Sequence, residues 1–134
     1  MATLRGSLDS TRSPVVTITV SAPSGPSRFF DAVIDTGFTG FVQVPEPRAQ
    51  ELGLAPRTAS EIEYPDGRTA TIPLAWGRAI LGTHTREGFI HIQGGTDETI
   101  VGVDFLELFR QTLVLSIADE LVLLLDSLDD LALQ

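Results

Sequence analysis

From Pro14 onward the chain alternates short apolar runs with turn-forming clusters. VVTITVSA (15–22) is rich in branched residues and partly alternates, as a half-buried strand does. Pro23-Ser24-Gly25-Pro26-Ser27 is a turn, and Arg28 to Ile34 returns as a second strand. Asp35-Thr36-Gly37 interrupts the pattern before a third strand from Gly40 to Val44. Glu46 to Leu54 predicts a short helix: Pro47 falls in its first turn, Glu46 suits the positive end of the dipole, and Gly53 is a stop. Two β runs follow, Ala59 to Tyr64 and Arg68 to Trp76, joined by Pro65-Asp66-Gly67. Asp-Gly between β runs is a hairpin signal. Further strands are expected at Arg78 to Gly82 and Arg86 to Gln93, with a loop from Gly94 to Thr99.

Ile100-Val101-Gly102 is a short buried-type run, and Val103 to Phe109 is a second helix with apolar residues at 103, 105, 106, 108 and 109. Leu113 to Ile117 and Leu121 to Leu125 close the pattern as strands. The first dozen residues are polar and without period, so residues 1–13 are expected to form a flexible arm. Residues 126–134 form an acidic tail whose Leu128, Leu131 and Leu133 have helix-like spacing. Many short strands, frequent turns and two short helices predict an all-β fold, a small barrel or sandwich occupying 14–125. A length of 134 residues suits one domain.

Charge narrows the partners. Nine basic residues, all arginine, stand against 18 acidic ones, for a formal charge of −9. Phosphate binding needs clustered positive charge, so no nucleic acid and no anionic membrane is expected as a partner. Cysteine is absent, which removes disulfides, thiol catalysis and cysteine metal sites together. The start, MATLRGSLDS, has no apolar leader core. The longest aliphatic run, Leu121 to Leu125, is far shorter than the roughly 20 residues of a membrane span. A soluble, cytoplasmic protein is expected.

Asp35 carries the candidate chemistry. It ends a strand of apolar residues, where a carboxylate is costly unless hydrogen-bonded or functional. Thr36 adds a hydroxyl and Gly37 a sharp turn. Alone, the tripeptide suits an ordinary turn equally well. Its order relative to the rest changes that. A hairpin with an Asp-Gly tip lies some thirty residues later, and Ile100-Val101-Gly102, followed at once by a helix, some sixty-five residues later.

This order resembles the retropepsin-like aspartic proteases. Ala32 to Phe41 resembles the single-domain bacterial members, and Ile100 to Leu106 their second signature. The resemblance covers residues 14 to 117 and implies a small closed barrel. It implies that Asp35 is the catalytic carboxylate, with Thr36 bonding across a dimer and Gly37 meeting substrate backbone. One Asp-Thr-Gly per chain implies a symmetric homodimer. Two facing carboxylates would share a proton and activate a water, with no metal or other cofactor. Tyr64, Pro65, Asp66, Gly67 and Arg68 would form the flap over a peptide or protein substrate. Phe38 and Thr39 would line the substrate site, and Ile100, Val101 and Gly102 would support the active loop. Two departures stand out: Phe38 is bulky where many members have a small residue, and Thr39 replaces an aspartate of the viral enzymes.

Other residues carry less. His84 and His91 are the only histidines and suit surface or hydrogen-bonded positions better than a metal. Gly94-Gly95 lacks the lysine of a phosphate loop, and Asp126, Asp129 and Asp130 read as a solvated tail. Trp76 reads as core or interface packing. The leading expectation is an aspartic endopeptidase. The rivals are a non-catalytic module of the same fold, which dimerises or binds peptides, and an unrelated β-barrel ligand binder.

Overall fold

The structure is a computed structural model that describes residues 3–133. Two strands at the start of the chain, β1 (Thr3–Arg5) and β2 (Ser7–Leu8), precede the hairpin of β3 (Pro14–Ser21) and β4 (Ser27–Ile34). Next come β5 (Val42–Pro45), helix α1 (Glu46–Glu51), β6 (Thr58–Glu63), β7 (Thr69–Leu81) and β8 (His84–Gln93). The chain ends with β9 (Thr99–Val101), helix α2 (Val103–Leu108), β10 (Thr112–Ser116), β11 (Leu121–Leu125) and a 3-10 helix over Leu128–Leu133. Six strands close into a barrel in the order β3-β4-β9-β5-β8-β7, the ring being completed by β7 pairing with β3. β2 and β6 are appended outside the ring, and β1, β11 and β10 form a separate three-stranded sheet. Among the described residues no helix is long and apolar enough to cross a membrane.

Alternation builds the core. On β3, Val16, Ile18 and Val20 face inward and are buried, while Thr17 between them is exposed. On β7 the inward positions are small, Ala75, Gly77 and Ala79, and the outward ones large, Trp76, Arg78 and Ile80. A Cβ on Gly77 would lie 2.3 Å from the tip of the Ile90 side chain and 3.1 Å from the Ser21 carbonyl oxygen, so a larger residue at this inward position would force Ile90 to move. That corrects one expectation. The glycine between Trp76 and Arg78 is a tight inward contact, and β7 runs unbroken for 13 residues where two strands were expected. From α2, Phe105 is fully buried against Phe41 and Phe109.

The N-terminal segment departs from the expected arm. Thr3 to Arg5 pairs antiparallel with Leu123 to Leu125, and Ser7 and Leu8 pair with β3. The polar residues of β1 face outward, so the segment shows no apolar period although its backbone completes a sheet edge. The chain passes between the two sheets at Gly6, where a Cβ would lie 2.3 Å from the Val15 carbonyl oxygen. The tail also differs from a fully solvated one: it coils as a 3-10 helix and buries Asp130, while Leu128 and Leu133 stay exposed.

Two parallel pairings position the candidate site. β4 pairs parallel with β9 in the register Ile34↔Val101, so both strands end at one rim of the barrel. β5 then pairs with β9, Val42 opposite Val101, which folds the intervening loop back over the same rim.

Candidate active site

Asp35 and Gly102 therefore leave their strands side by side. The Asp35 amide donates to the Val101 carbonyl at 3.0 Å, and the Phe38 amide donates back to the Asp35 carbonyl at 3.0 Å. The Gly37 amide donates to Asp35 Oδ1 at 2.8 Å, which orients the carboxylate. Asp35, Thr36 and Gly37 are nevertheless exposed. The arrangement is an acid held in one direction at the mouth of the barrel, open on its outer side.

Gly102 is extended, so its glycine is required by space and not by conformation. A Cβ there would lie 2.2 Å from the Phe38 carbonyl oxygen and 2.6 Å from that of Gly40. The Phe38 carbonyl also serves the next helix, together with that of Thr39. A helix start leaves amides without intrahelical partners. The Val103 amide donates to Phe38 O at 2.9 Å and the Asp104 amide to Thr39 O at 3.2 Å. Ile100, Val101 and Gly102 thus lie directly against the Asp35 loop. The Phe38 ring is half-buried and meets the His91 ring edge-on, with centroids 5.0 Å apart. Thr39 is exposed.

The hairpin tip stands apart from this cluster. The Gly67 amide donates to the Tyr64 carbonyl at 2.9 Å and the Tyr64 amide to Arg68 O at 2.7 Å. Gly67 has φ +86°, the left-handed conformation such a turn needs. Asp66 accepts from Arg68 Nε at 2.6 Å and from the Arg68 amide at 3.0 Å, and the guanidinium lies 5.3 Å from the Tyr64 ring centre. Pro65 is exposed within the turn. Among the described residues no hydrogen bond joins Tyr64–Arg68 to the Asp35 loop.

Two further features escaped the sequence. A cleft of about 770 Å³ opens beside β4, lined by Asp31 and Val33 and walled by Asp97, Glu98 and the N-terminal Arg5 and Asp9. Val33 shares a strand face with Asp35, two residues on. Asp9 is held below the usual carboxylate range, chiefly by the Thr11 hydroxyl and then by backbone amides of the same turn. On the other side of the loop, His91 is half-buried, and its Nδ1 has no hydrogen-bond partner among the described residues. Burial pushes its pKa down, and the nearby Asp104 carboxylate partly opposes this. His84, by contrast, is exposed at the start of β8. No group of three metal-ligating side chains is gathered among the described residues.

No family model matches the chain. An uncharacterized protein of Archaeoglobus fulgidus is 31% identical over 109 residues, covering 75% of this chain and 85% of that protein. The two belong to one family. The crystal structure of a retropepsin-like aspartic protease from Rickettsia conorii aligns with a TM-score of 0.63 over 92% of this chain and 90% of that one, at 14% identity. The chain has the retropepsin-like fold. The solution structure of the Simian Foamy Virus (mac) protease aligns at 13% identity and TM-score 0.49, over 69% of this chain and 92% of that one. In this retropepsin-like barrel, Asp35-Thr36-Gly37 forms the rim loop, Ile100-Val101-Gly102 the strand end beneath it, and β6–β7 a projecting hairpin.

Proposed function

We propose that the chain is an aspartic endopeptidase that works as a symmetric homodimer. The observation that carries this reading is Asp35: an exposed carboxylate whose Oδ1 is fixed by the Gly37 amide, on a loop that Gly102 packs from below. The Oδ1 contact is the usual turn bond of an aspartate, made also by Asp9 and Asp66; what distinguishes Asp35 is that β9 and α2 hold its loop by backbone hydrogen bonds.

One such loop per chain is half a site, and a second copy related by a two-fold axis supplies the other half. The outer edge of β10 supports such association. It is the last strand of the three-stranded sheet and carries exposed Leu115, with exposed Ile117 following it. Paired Asp35 carboxylates share one proton, because two like charges in contact do not both ionise cheaply. The ionised member takes a proton from a water lying between them, and the protonated member polarises the peptide carbonyl. The water oxygen attacks the carbonyl carbon, and a proton delivered to nitrogen releases the amine as the carbon–nitrogen bond breaks. The Tyr64–Arg68 hairpin closes over the peptide and excludes solvent.

The decisive test is Asp35→Asn, nearly isosteric and unable to accept the water proton. Cleavage of a diverse peptide library is expected to fall by more than the roughly 10²–10⁴-fold usual for one general acid–base group, because both members of the pair vanish together. Sedimentation is expected to show the dimer intact. Wild-type specific activity is expected to fall on dilution as dimers dissociate. Full activity in Asp35→Asn would overturn the reading. A wild-type dimer that binds library peptides without cleaving them would favour the non-catalytic module.

A further inference from the structure

On the far side of the Asp35 loop from the acidic cleft lies a groove of about 450 Å³. Its floor is apolar. Trp76 and Phe89, directly paired across β7 and β8, meet edge-on with ring centroids 5.1 Å apart. Phe89 is 41% exposed although hydrophobic, and Leu108 of α2 is exposed to the same extent opposite it. Exposed apolar surface gathered in one concavity is unusual on a monomer and marks an interaction site.

The charged residues lining the groove are all acidic, while Arg57 borders the same two rings from the adjoining hollow and Arg86 is held on the Leu108 carbonyl. Glu87, Asp104 and Glu107 line the groove, and no arginine does. Glu87 has a long 3.4 Å contact with Arg78, whereas Asp104 and Glu107 enter no ion pair among the described residues. Apolar walls, aromatic faces and a carboxylate rim together complement one kind of side chain. It has an aliphatic stem to lie along Leu108, a cation for the aromatic faces and an end that ion-pairs with Asp104 and Glu107. That is arginine or lysine.

The groove borders the loop and the hairpin strand of the candidate active site without including Asp35 itself. Gly40 lines it, two residues past Thr36-Gly37-Phe38, and so does Ser60 on the β6 strand of the hairpin. Asp104 sits in the groove while its amide holds the Thr39 carbonyl. A peptide lying between the Asp35 loop and the hairpin would reach the groove only by a side chain directed past Gly40 and Ser60. We infer that the groove binds an arginine or lysine side chain of the peptide substrate, on one side of the bond to be cut. The inference rests on the protease reading for the word substrate, and on the groove alone for the cation.

The test separates the two. Trp76 is the only tryptophan of the chain, so its fluorescence reports the groove directly. The probes are Ac-Ala-Ala-Arg-Ala-Ala-NH2 and the same peptide with citrulline in place of arginine, titrated into Asp35→Asn protein so that cleavage plays no part. The arginine peptide is expected to change Trp76 fluorescence saturably, and the citrulline peptide to bind at least about tenfold more weakly. Raising salt should weaken only the arginine peptide. The double variant Asp104→Asn, Glu107→Gln, checked for folding by its unfolding transition, should bind both peptides equally. As a second variant, Phe89→Ala should weaken the arginine peptide while leaving both carboxylates in place. Equal binding of the two peptides by the parent protein would overturn the inference. So would arginine binding that survives the double variant. In the wild-type library assay, cleavage with no enrichment of arginine or lysine at any position would overturn it while leaving the protease reading intact. Arginine-selective binding without cleavage would keep the groove and remove the protease.

Discussion

The loop from Asp35 to Gly40 is tied to three other elements, whereas the hairpin tip from Tyr64 to Arg68 is tied to itself. β9 accepts the Asp35 amide, α2 donates two amides to the loop carbonyls, and His91 of β8 packs on Phe38. At the tip, every hydrogen bond described above runs between residues 64 and 68. Chemistry at a carboxylate needs sub-ångström placement, so its supports come from distant parts of the chain. A covering segment must open and close, so its order has to be local and easily lost. The contrast makes quantitative expectations that mutation can break.

The largest effect is expected from Gly102→Ala. The added Cβ meets two backbone carbonyls, which cannot swing aside as a side chain would. Overpacking of this kind costs about 1–3 kcal/mol, and a backbone collision places the change at the upper end. Both the unfolding midpoint and peptide cleavage should fall together. A variant with unchanged stability and activity would show that the loop yields, and the contrast with the tip would collapse.

Gly67→Ala comes next. Its φ of +86° costs an L-residue about 1–2 kcal/mol, with open space around the new methyl group. The loss is expected to stay in the hairpin. Amide exchange should speed up at residues 64–68 and remain unchanged at residues 35–40, and the Michaelis constant should rise more than turnover falls. Faster exchange at both places would mean that the two regions are coupled.

Much of this was legible beforehand because local chemistry dictates it. The Pro65-Asp66-Gly67 turn and the strand ending at Ile34 follow from residues that make no other sense. The Ile100-Val101-Gly102 run gave no hint from periodicity of what it touches. Only its order after Asp35-Thr36-Gly37 did, since a parallel pairing between residues 34 and 101 is a long-range fact. The N-terminal strand was illegible for a related reason. Thr3 to Arg5 earns its place by backbone pairing with β11, which leaves no apolar signature. Gly77 misled because a glycine inside an apolar run signals a break as readily as a tight contact. The groove beside α2 was invisible because its parts meet only in the fold: Trp76, Phe89 and Asp104 are spread over three elements, and nothing in sequence aligns them.

Arg68→Gln should have a smaller effect than either glycine. The Arg68–Asp66 pair is short, but both side chains are more than half exposed. Surface pairs contribute about 0–1 kcal/mol. Global stability should therefore move by less than about 0.5 kcal/mol. Substrate affinity should change while the Asp35 loop keeps its exchange protection. Loss of activity at saturating peptide would instead give Arg68 a part in the chemistry.

The smallest effect is expected from protonating His91, and it acts on the braced region alone. Burial lowers its pKa in the folded chain below the ordinary 6.5, against a weaker opposing pull from Asp104. Between that depressed value and 6.5 the unfolded chain binds more protons than the folded one. Stability from this residue is therefore complete above about pH 6.5 and declines as the pH falls through the window below it. His91 is only half-buried, so the decline is gentle. In His91→Phe the aromatic contact with Phe38 is kept and the titration removed. The unfolding free energy of the wild type should slope downward between pH 7 and pH 5 more steeply than that of the variant. Over the same range, amide exchange corrected for pH should rise at Phe38 to Gly40 and stay level at Tyr64 to Arg68. Parallel slopes in the two proteins would show that the imidazole contributes nothing to holding the loop, and that backbone hydrogen bonds to β9 and α2 suffice.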